Sequence, residues 1–313
     1  MQPGGRTAGL GIAGAAGVTA LALAAVGLRF YDLAIARRER GFLANDPDLA
    51  ELPTPDTTWI TAQPLETLDL ISYDGLHLRG YYLPAEQPTT KLVILAHGYS
   101  GRAQKDMGGF AWLYHEHFGY HVFMPDARGH GASEGDYIGF GWPERRDYVA
   151  WIAALRHRLG AELRIALHGV SMGGATVLMT SGEALPPQVR AVIADCSYTT
   201  VRAELTYQLR RLYHLPAFPI APITSLICKL RAGYFFGEAS ALAQVRRSRL
   251  PTLFIHGEAD EFVPTAMIHE LYAASTADKE IFLVPGAGHG LAYTSDPAGY
   301  TARLAAFLGR TMG

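Results

Sequence analysis

Three residues of this chain have the types and surroundings of a nucleophile, an acid and a base. The first is Ser171, in a G-x-S-x-G pattern at residues 169–173. The pattern follows an apolar, strand-like run at 165–167 and precedes a helix-like run. A serine at such a strand-to-helix turn is held tightly, and its hydroxyl projects from the sheet edge. We therefore predict that Ser171 is a nucleophile.

The same pattern occurs again around Ser133, at residues 131–135. This copy follows a turn-rich segment, residues 126–130, and no helix-like run leaves it. The pattern alone does not separate the two serines, but the strand–turn–helix context favours Ser171.

A serine hydroxyl needs a base to activate it, and the base is usually oriented by an acid. Two histidines lie downstream of Asp260. His269 falls in a helix-like stretch, where a solvated position on the helix surface is the expected one. His289 lies in a glycine-rich turn that follows a strand-like run, so its side chain can reach over the edge of the sheet. We therefore predict that His289 is the base.

The acid has two candidates, each just beyond a predicted strand. Asp260 lies in the segment 255–264, and Asp195 ends an earlier apolar run. Both can face the same edge of a parallel sheet, whereas Glu258 and Glu261 are typical of solvated loop charges. We choose Asp260, which with Ser171 and His289 gives the order nucleophile, acid, base, and Asp195 stays open as the alternative.

Such a centre performs acyl transfer only if it also stabilises an oxyanion. One backbone donor is the N–H of Met172, at the start of the helix after the serine. The other is expected in the turn at 97–101, where Tyr99 N–H is the candidate.

Eight apolar runs predict the sheet that positions these residues. Residues 68–73 and 76–83 flank Asp74-Gly75, a strong hairpin signal. Shorter runs alternate with helical stretches and predict an α/β fold, a mostly parallel central sheet with helices on both faces. These runs cover residues 92–96, 122–124, 165–167, 191–194, 253–255 and 281–284, and the clearest helical stretches cover 142–159, 172–183 and 297–308.

One interval lacks any clear strand pattern. Residues 197–250 are rich in aromatic and basic side chains and are far longer than an ordinary βα connection. They predict a small helical cap insertion over the carboxyl edge of the sheet, where open α/β folds bind ligands. An ordinary surface elaboration is the alternative.

The amino-terminal part of the sequence predicts a membrane anchor. Residues 8–28 carry no charge and, as a helix, would span about 31 Å. They follow a short tail, residues 1–7, and precede a predicted linker at 29–56. The arginines at 37, 38 and 40 weakly favour a cytoplasmic position for the domain that follows, 57–313, and the extracytoplasmic side stays possible. A cleaved signal peptide and a buried helix are the alternatives.

Composition excludes several classes of protein. A formal net charge of −2 gives no electrostatic reason to expect nucleic acid as a partner. The two cysteines, Cys196 and Cys228, are too few for a disulfide scaffold and are expected to be buried thiols, although one bridge between them is possible. The sequence predicts neither a metal, since it lacks a metal-ligand pattern, nor a cofactor.

Taken together, these motifs make the chain resemble the α/β-hydrolase superfamily, and within it a membrane-anchored branch similar to prolyl-oligopeptidase-like and serine-aminopeptidase-like hydrolases. The resemblance covers residues from about 57 to the carboxyl terminus. It implies that Ser171, Asp260 and His289 are catalytic, that Tyr99 and Met172 form the oxyanion hole, and that residues 126–133 shape the loop beside the site. The motifs that carry it are LAHGY at 95–99, DARGHGAS at 126–133, GVSMG at 169–173, HGEADEFVP at 256–264 and GH at 288–289.

The expected function is hydrolysis of a carboxylic ester or thioester of small or medium acyl size. Amide hydrolysis by a serine peptidase is the enzymatic alternative, because a fold does not fix its substrate. A non-catalytic, membrane-tethered binding module is the alternative from another class. The triple-glycine oxyanion loop of some lipases is absent, which weakens a lipase assignment.

Overall fold

The computed structural model describes residues 7–37 and 58–313, with residues 7–20 described by their backbone alone. Its centre is a sheet of eight strands in the order β1-β2-β4-β3-β5-β6-β7-β8. The first two strands form an antiparallel hairpin, β2 pairs antiparallel with β4, and the other neighbours are parallel. The predicted, mostly parallel sheet is therefore confirmed. The strands are β1 Glu66–Ile71, β2 His77–Leu83, β3 Lys91–Ala96, β4 His121–Pro125, β5 Arg164–Val170, β6 Val189–Asp195, β7 Thr252–Gly257 and β8 Lys279–Val284.

Helices cover both faces of the sheet, because the central strands are apolar on both sides. Along β3, Leu92 and Ile94 pack into one hydrophobic cluster, and Val93 and Leu95 pack into the other. This alternation is the period-2 geometry of a strand buried on both faces. The helices are α1 Thr7–Ala34, α2 Thr58–Thr61, α3 Ala103–Trp112 with a π-helical extension Leu113–His117, α4 Glu144–Leu159, α5 Met172–Ser181, α6 Val201–Tyr213, α7 Ala217–Ala232, α8 Ala241–Val245, α9 Ala266–Ala274, α10 Ala292–Ser295 and α11 Pro297–Met312.

The interval between β6 and β7 is helical, as the sequence predicts. It contains α6, α7 and α8, which together form the cap within residues 197–250. Thr200 begins α6 by accepting a hydrogen bond from Ala203 N (2.9 Å), and Ser240 does the same for α8 with Ala243 N (3.0 Å). A side-chain oxygen at this position satisfies an N–H group of the first helical turn that has no acceptor within the helix. Helices α6 and α8 therefore begin at defined residues.

The predicted linker at 29–56 is wrong for its first nine residues. Residues 29–34 continue helix α1, Ile35 is fully buried, and Ala36 forms a β-bridge with Tyr137. Arg37 donates to the carbonyls of Ser133 and Gly131, each at 2.8 Å. The physical reason is packing, since apolar side chains of this segment have a complementary surface on the folded domain. The rest of the predicted linker, residues 38–56, lies outside the described residues.

Helix α1 contains the predicted membrane span. The carboxyl-terminal half of α1 packs on the cap. Gly27 lies so close to Ile223 of α7 that a Cβ on Gly27 would overlap the Ile223 side chain. Within the described part of the chain, no helix is long and apolar enough to cross a membrane. The structure therefore gives the predicted span no support, and the membrane location stays a prediction from the sequence. The predicted tail, residues 1–7, lies outside the described residues except for Thr7.

Candidate active site

Ser171 stands at a sharp turn between β5 and α5. The strand ends at Val170 and the helix begins at Met172, while Ser171 itself has φ 58° and ψ −118°. A non-glycine residue held at positive φ costs about 1–3 kcal/mol, so the surroundings must fix it. They do so because Ser171 N donates to Asp195 O (2.9 Å) and Ser171 O accepts from Ala175 N (3.0 Å). The structure thus places Ser171 on the predicted strand-to-helix elbow.

Close backbone packing explains the glycines around this serine. A Cβ on Gly169 would overlap the backbone of Gly173, and a Cβ on Gly173 would overlap the carbonyl oxygen of Ala96 at the end of β3. The turn is therefore pressed between neighbouring strands, and a larger residue at either glycine would push the serine out of place.

The three predicted catalytic residues form one chain of hydrogen bonds. Ser171 Oγ donates to His289 Nε2 at 2.8 Å, and His289 Nδ1 donates to Asp260 Oδ2 at 2.8 Å. The partners set the tautomer, because a carboxylate can only accept and so requires the proton on Nδ1. His289 Nε2 is then left with a lone pair aimed at the serine hydroxyl. This is the geometry that a general base requires.

Asp260 is held as a carboxylate at the base of this chain. Its second oxygen, Oδ1, accepts from Phe262 N (2.9 Å) and Val263 N (2.8 Å). Burial by itself would raise the pKa of Asp260, but the nearby His289 and the hydrogen bonds of His256 and His289 lower that pKa well below its usual range. Asp260 is therefore ionised throughout the neutral range and can orient His289.

His256 is a contact of the acid that the sequence analysis did not assign. It is fully buried at the end of β7, and its Nε2 lies 2.9 Å from Val263 O and 3.2 Å from Asp260 Oδ2. Nε2–H is shared between these two acceptors, so Asp260 Oδ2 accepts from two imidazoles. The signal was present in the sequence, since His256 precedes Asp260 by four residues at a strand end.

The alternative acid, Asp195, is engaged elsewhere. It is buried at the end of β6, and its Oδ2 accepts from the hydroxyl of Tyr300 at 3.0 Å. Burial raises the pKa of Asp195 to about 6. The hydroxyl of Tyr300 also lies 3.2 Å from His168 Nε2, so Asp195 belongs to a buried network behind the site. The structure brings Asp260 to His289, and it does not do so for Asp195.

Both predicted oxyanion donors lie beside the serine. Tyr99 and Met172 line the same cavity as Ser171, and a Cβ on Gly98 would lie 3.7 Å from the Cβ of Ser171. Met172 is the first residue of α5, where N–H groups have no acceptor within the helix and the helix dipole favours negative charge. The arrangement suits an oxyanion, and the donor roles stay predictions.

The loop after β4 braces the loop that carries Tyr99. Asp126 Oδ1 accepts from Ala103 N (2.9 Å) at the start of α3, and His130 Nε2 accepts from Ser100 N (3.2 Å). In return, His97 Nε2 accepts from Ala127 N (3.0 Å). Burial, first of all, lowers the pKa of His130 to about 3, which keeps this imidazole an acceptor. The geometry matches the supporting role expected for residues 126–133.

Ser133, in the second G-x-S-x-G pattern, has a structural position. It is buried, its hydroxyl donates to Asp126 O (2.6 Å), and it accepts from Arg79 N (2.9 Å). The hydroxyl thus ties the loop to β2. His269, the other downstream histidine, is exposed on α9, as the sequence analysis expected.

A narrow cavity lies beside Ser171. Most of its wall is apolar, from Tyr99, Phe140, Met172, Tyr198, Leu205 and Phe262. Helix α6 adds the polar pair Glu204 and Gln208, and the Gln208 amide donates to Glu204 Oε1 (2.9 Å) and to Phe262 O (2.7 Å). The cap therefore provides one side of the cavity.

Among the described residues, one group has the donor atoms that a metal ion needs, namely Cys196, Asp260 and His289. Burial raises the pKa of the Cys196 thiol well above its ordinary value, so the thiolate that binds metals is disfavoured. Asp260 and His289 are already hydrogen-bonded to each other. The donor set fits a proton relay better than a metal centre.

Comparison with known proteins agrees with this geometry. The model of the family described as "Alpha/beta hydrolase family" matches residues 93–303. The uncharacterized protein YqkD of Bacillus subtilis is 30% identical over 235 residues, which is 75% of this chain and 76% of that protein. The uncharacterized protein YfhR of Escherichia coli K12 is 28% identical over 236 residues, 72% of this chain and 73% of that protein.

Solved structures share the fold at lower identity. The Pyrococcus furiosus esterase Pf2001 superimposes with a TM-score of 0.67 at 21% identity, over 84% of this chain and 97% of the esterase. A puromycin-hydrolyzing peptidase of Mycobacterium tuberculosis gives a TM-score of 0.62 at 21% identity, over 84% of this chain and 41% of the peptidase. These likenesses concern the fold, which serves both ester and amide chemistry.

Proposed function

The chain belongs to the alpha/beta hydrolase family, and on that basis we propose that it is a serine hydrolase that cleaves a carboxylic ester or thioester through an acyl-enzyme on Ser171. The observation that carries the proposal is the pair of 2.8 Å hydrogen bonds joining Ser171, His289 and Asp260. Nucleophile, base and orienting acid come from three separate strand ends, and the nucleophile sits on a strained turn.

The proposed reaction proceeds in two halves. His289 takes the proton of Ser171 Oγ as this oxygen attacks the carbonyl carbon, and the N–H groups of Tyr99 and Met172 stabilise the resulting oxyanion. Each such donor contributes about 3–4 kcal/mol to catalysis. His289 then protonates the leaving alcohol or thiol. Water, deprotonated by His289, attacks the acyl-enzyme, and His289 returns this proton to Ser171 Oγ as the acid is released.

The cavity wall favours an acyl group over a peptide as the ligand. Its aromatic and aliphatic side chains offer few hydrogen-bonding groups to a peptide backbone, whereas they desolvate an aliphatic or aromatic acyl group well. Cleavage of amides, as in a serine peptidase, is the alternative reaction for the same three residues.

Labelling with a fluorophosphonate tests the reaction class. We expect the wild-type protein to be labelled and Ser171→Ala to be unlabelled, with Ser133→Ala as the matched control that keeps its label. An unlabelled wild-type protein, or equal labelling of Ser171→Ala, would refute the serine-hydrolase proposal and favour a non-catalytic binding module.

A substrate screen separates ester from amide cleavage. We expect p-nitrophenyl esters to be hydrolysed with a higher kcat/KM than p-nitroanilides of amino acids, and the reverse result would favour the peptidase. The protein must retain residues 29–37, because the hydroxyl of Tyr99 donates to Ala34 O at 2.9 Å.

A further inference from the structure

Eight of the eleven large hydrophobic side chains that are exposed among the described residues lie in one region, on α1 and on or beside α7 of the cap. The other three are Ile71, Tyr73 and Trp112. Exposed apolar side chains scattered singly are normal, but a cluster of them marks a surface for a binding partner. We call this cluster the apolar surface, and its members are Leu21, Val26, Leu28, Leu215, Phe218, Leu226, Leu230 and Phe235.

The residue spacing of α7 gives this helix an apolar outward stripe. Pro222, Leu226 and Leu230 recur every four residues and are all exposed, so they lie on one face of the helix. Thr224 and Cys228, on the opposite face, are buried. The outward face of a helix on a soluble domain is normally polar. The apolar stripe therefore points to a contact outside the domain.

Helix α1 extends this stripe into a broader face. Gly27 lies against Ile223, and one turn further along both helices Asp32 pairs with Arg231 (3.6 Å). The two helices therefore run side by side in the same direction, and the exposed side chains of α1 adjoin the stripe of α7. The sequence of α1 carries no charge from residue 8 to residue 28, so the face has no charged side chain on that helix before residue 29.

The cap differs in charge from the rest of the chain. Residues 197–250 contain eight basic and two acidic residues, a formal charge of +6, whereas the whole chain carries −2. An apolar stripe on a basic domain matches an anionic lipid surface, because its headgroups attract lysine and arginine and its acyl layer accepts apolar side chains. A second copy of the chain is a poorer match, since two caps of charge +6 repel each other.

We propose that the apolar surface docks on an anionic phospholipid surface. Leu226 and Leu230 enter the boundary between headgroups and acyl chains, and the basic side chains of the cap stay at the level of the headgroups. The docked face belongs to the same cap whose helix α6 lines the cavity of Ser171. The contact is made on the surface of the bilayer and requires no membrane-spanning helix. It goes beyond the proposed function and does not depend on the reaction at Ser171.

A fluorescent probe at single positions of the full-length chain tests the docking. Cys196 and Cys228 are buried, so a nitrobenzoxadiazole label reacts with the thiol introduced by Leu230→Cys. Ile71→Cys, an exposed position on the edge strand β1, is the matched control.

Vesicles of phosphatidylcholine and phosphatidylglycerol are then added to each labelled protein. We expect the emission at position 230 to shift to shorter wavelength and to be quenched by doxyl-labelled lipid, while the emission at position 71 stays unchanged. Equal behaviour at both positions, or no response at position 230, would overturn the proposal. A shift at position 230 that grows with protein concentration without lipid would also overturn it, because it indicates self-association.

A charged variant measures the contribution of α7 to the docking. Leu226→Glu combined with Leu230→Glu places two carboxylates on the stripe, and Ile71→Glu is the control with the same chemical change. We expect cosedimentation of the double variant with the same vesicles to require about tenfold or more lipid, since two apolar side chains lose their place in the bilayer. The rate of fluorophosphonate labelling in solution should match that of the wild type. Unchanged vesicle binding of the double variant would overturn the docking, whereas the absence of labelling in every protein would overturn the proposed hydrolase function and leave the docking intact.

Discussion

Replacing Asp260 by Asn removes one acceptor and adds one donor at the base of the hydrogen-bonded chain. Oδ1 accepts from two backbone N–H groups, so the amide oxygen will keep this side and the NH₂ group will face His289 Nδ1. An NH₂ group cannot accept the proton of Nδ1–H. Neutral His289 must then carry its proton on Nε2, which faces Ser171 Oγ, and the serine loses its base.

The expected loss is in kcat rather than in KM. The equivalent change of an Asp to Asn behind a catalytic histidine lowers kcat about 10⁴-fold in serine proteases, which corresponds to ~5 kcal/mol. We expect the same order of loss for Asp260→Asn. Asp260 is absent from the lining of the cavity beside Ser171, so KM should change much less.

Asp195→Asn is the matched control, with the same chemical change at another buried strand end. Its amide oxygen can still accept from the hydroxyl of Tyr300, so kcat should stay within about tenfold of wild type. Steady-state hydrolysis of p-nitrophenyl butyrate and the rate of fluorophosphonate labelling report the loss, and thermal unfolding confirms that each variant is folded. A larger loss at Asp195 than at Asp260 would refute our assignment of the acid.

Three further outcomes are expected. Ser133→Ala removes the hydrogen bonds to the buried Asp126 O and from the half-buried Arg79 N, and should lower the free energy of unfolding by about 1–3 kcal/mol, measured by urea denaturation, without loss of labelling. Burial lowers the pKa of His168 to about 3, below ~6.5 for an unfolded chain, so its contribution to stability is complete above ~6.5 and is lost as the pH falls towards 3. His168→Gln should therefore reduce the slope of unfolding free energy against pH between about 4 and 6 by about 1.4 kcal/mol per pH unit, and an unchanged slope would contradict this. Tyr99→Phe removes the hydrogen bond to Ala34 O but keeps the backbone N–H, so unfolding should become easier by about 1 kcal/mol while kcat/KM on acetate falls less than about tenfold.

The sequence contained the sheet and the elbow because both depend on local patterns. All eight strands coincide with predicted apolar runs to within a few residues. The central strands are buried on both faces and are therefore continuously apolar, whereas the hairpin of β1 and β2 was marked by Asp74-Gly75. Ser171 was separable from Ser133 because a nucleophile elbow needs a strand before it and a helix after it. The order of Ser171, Asp260 and His289 followed from the same strand ends.

The boundary between the linker and the domain was not visible in the sequence, because it depends on the surface of the folded chain against which the segment packs. Residues 29–37 appeared as a linker, and the structure builds them into the domain beside Tyr99. This segment mixes three charged residues with apolar ones, a pattern that is compatible with either state. The surface that selects between the two comes from residues 130–138 and from the cap, about a hundred positions or more further along the chain.

The choice of the acid shows most clearly what the tertiary structure decided. In the sequence, Asp195 and Asp260 each follow a strand and carry the same carboxylate, so local pattern ranks them only weakly. In the fold, the hydroxyl of Tyr300 in the last helix donates to Asp195, whereas His289 and His256 both contact the carboxylate of Asp260. The sequence by itself determined which strand ends carry chemical groups. Only the folded chain decided which groups meet, because a hydrogen bond requires donor and acceptor to lie within about 3 Å, a distance set by packing between segments far apart in the sequence.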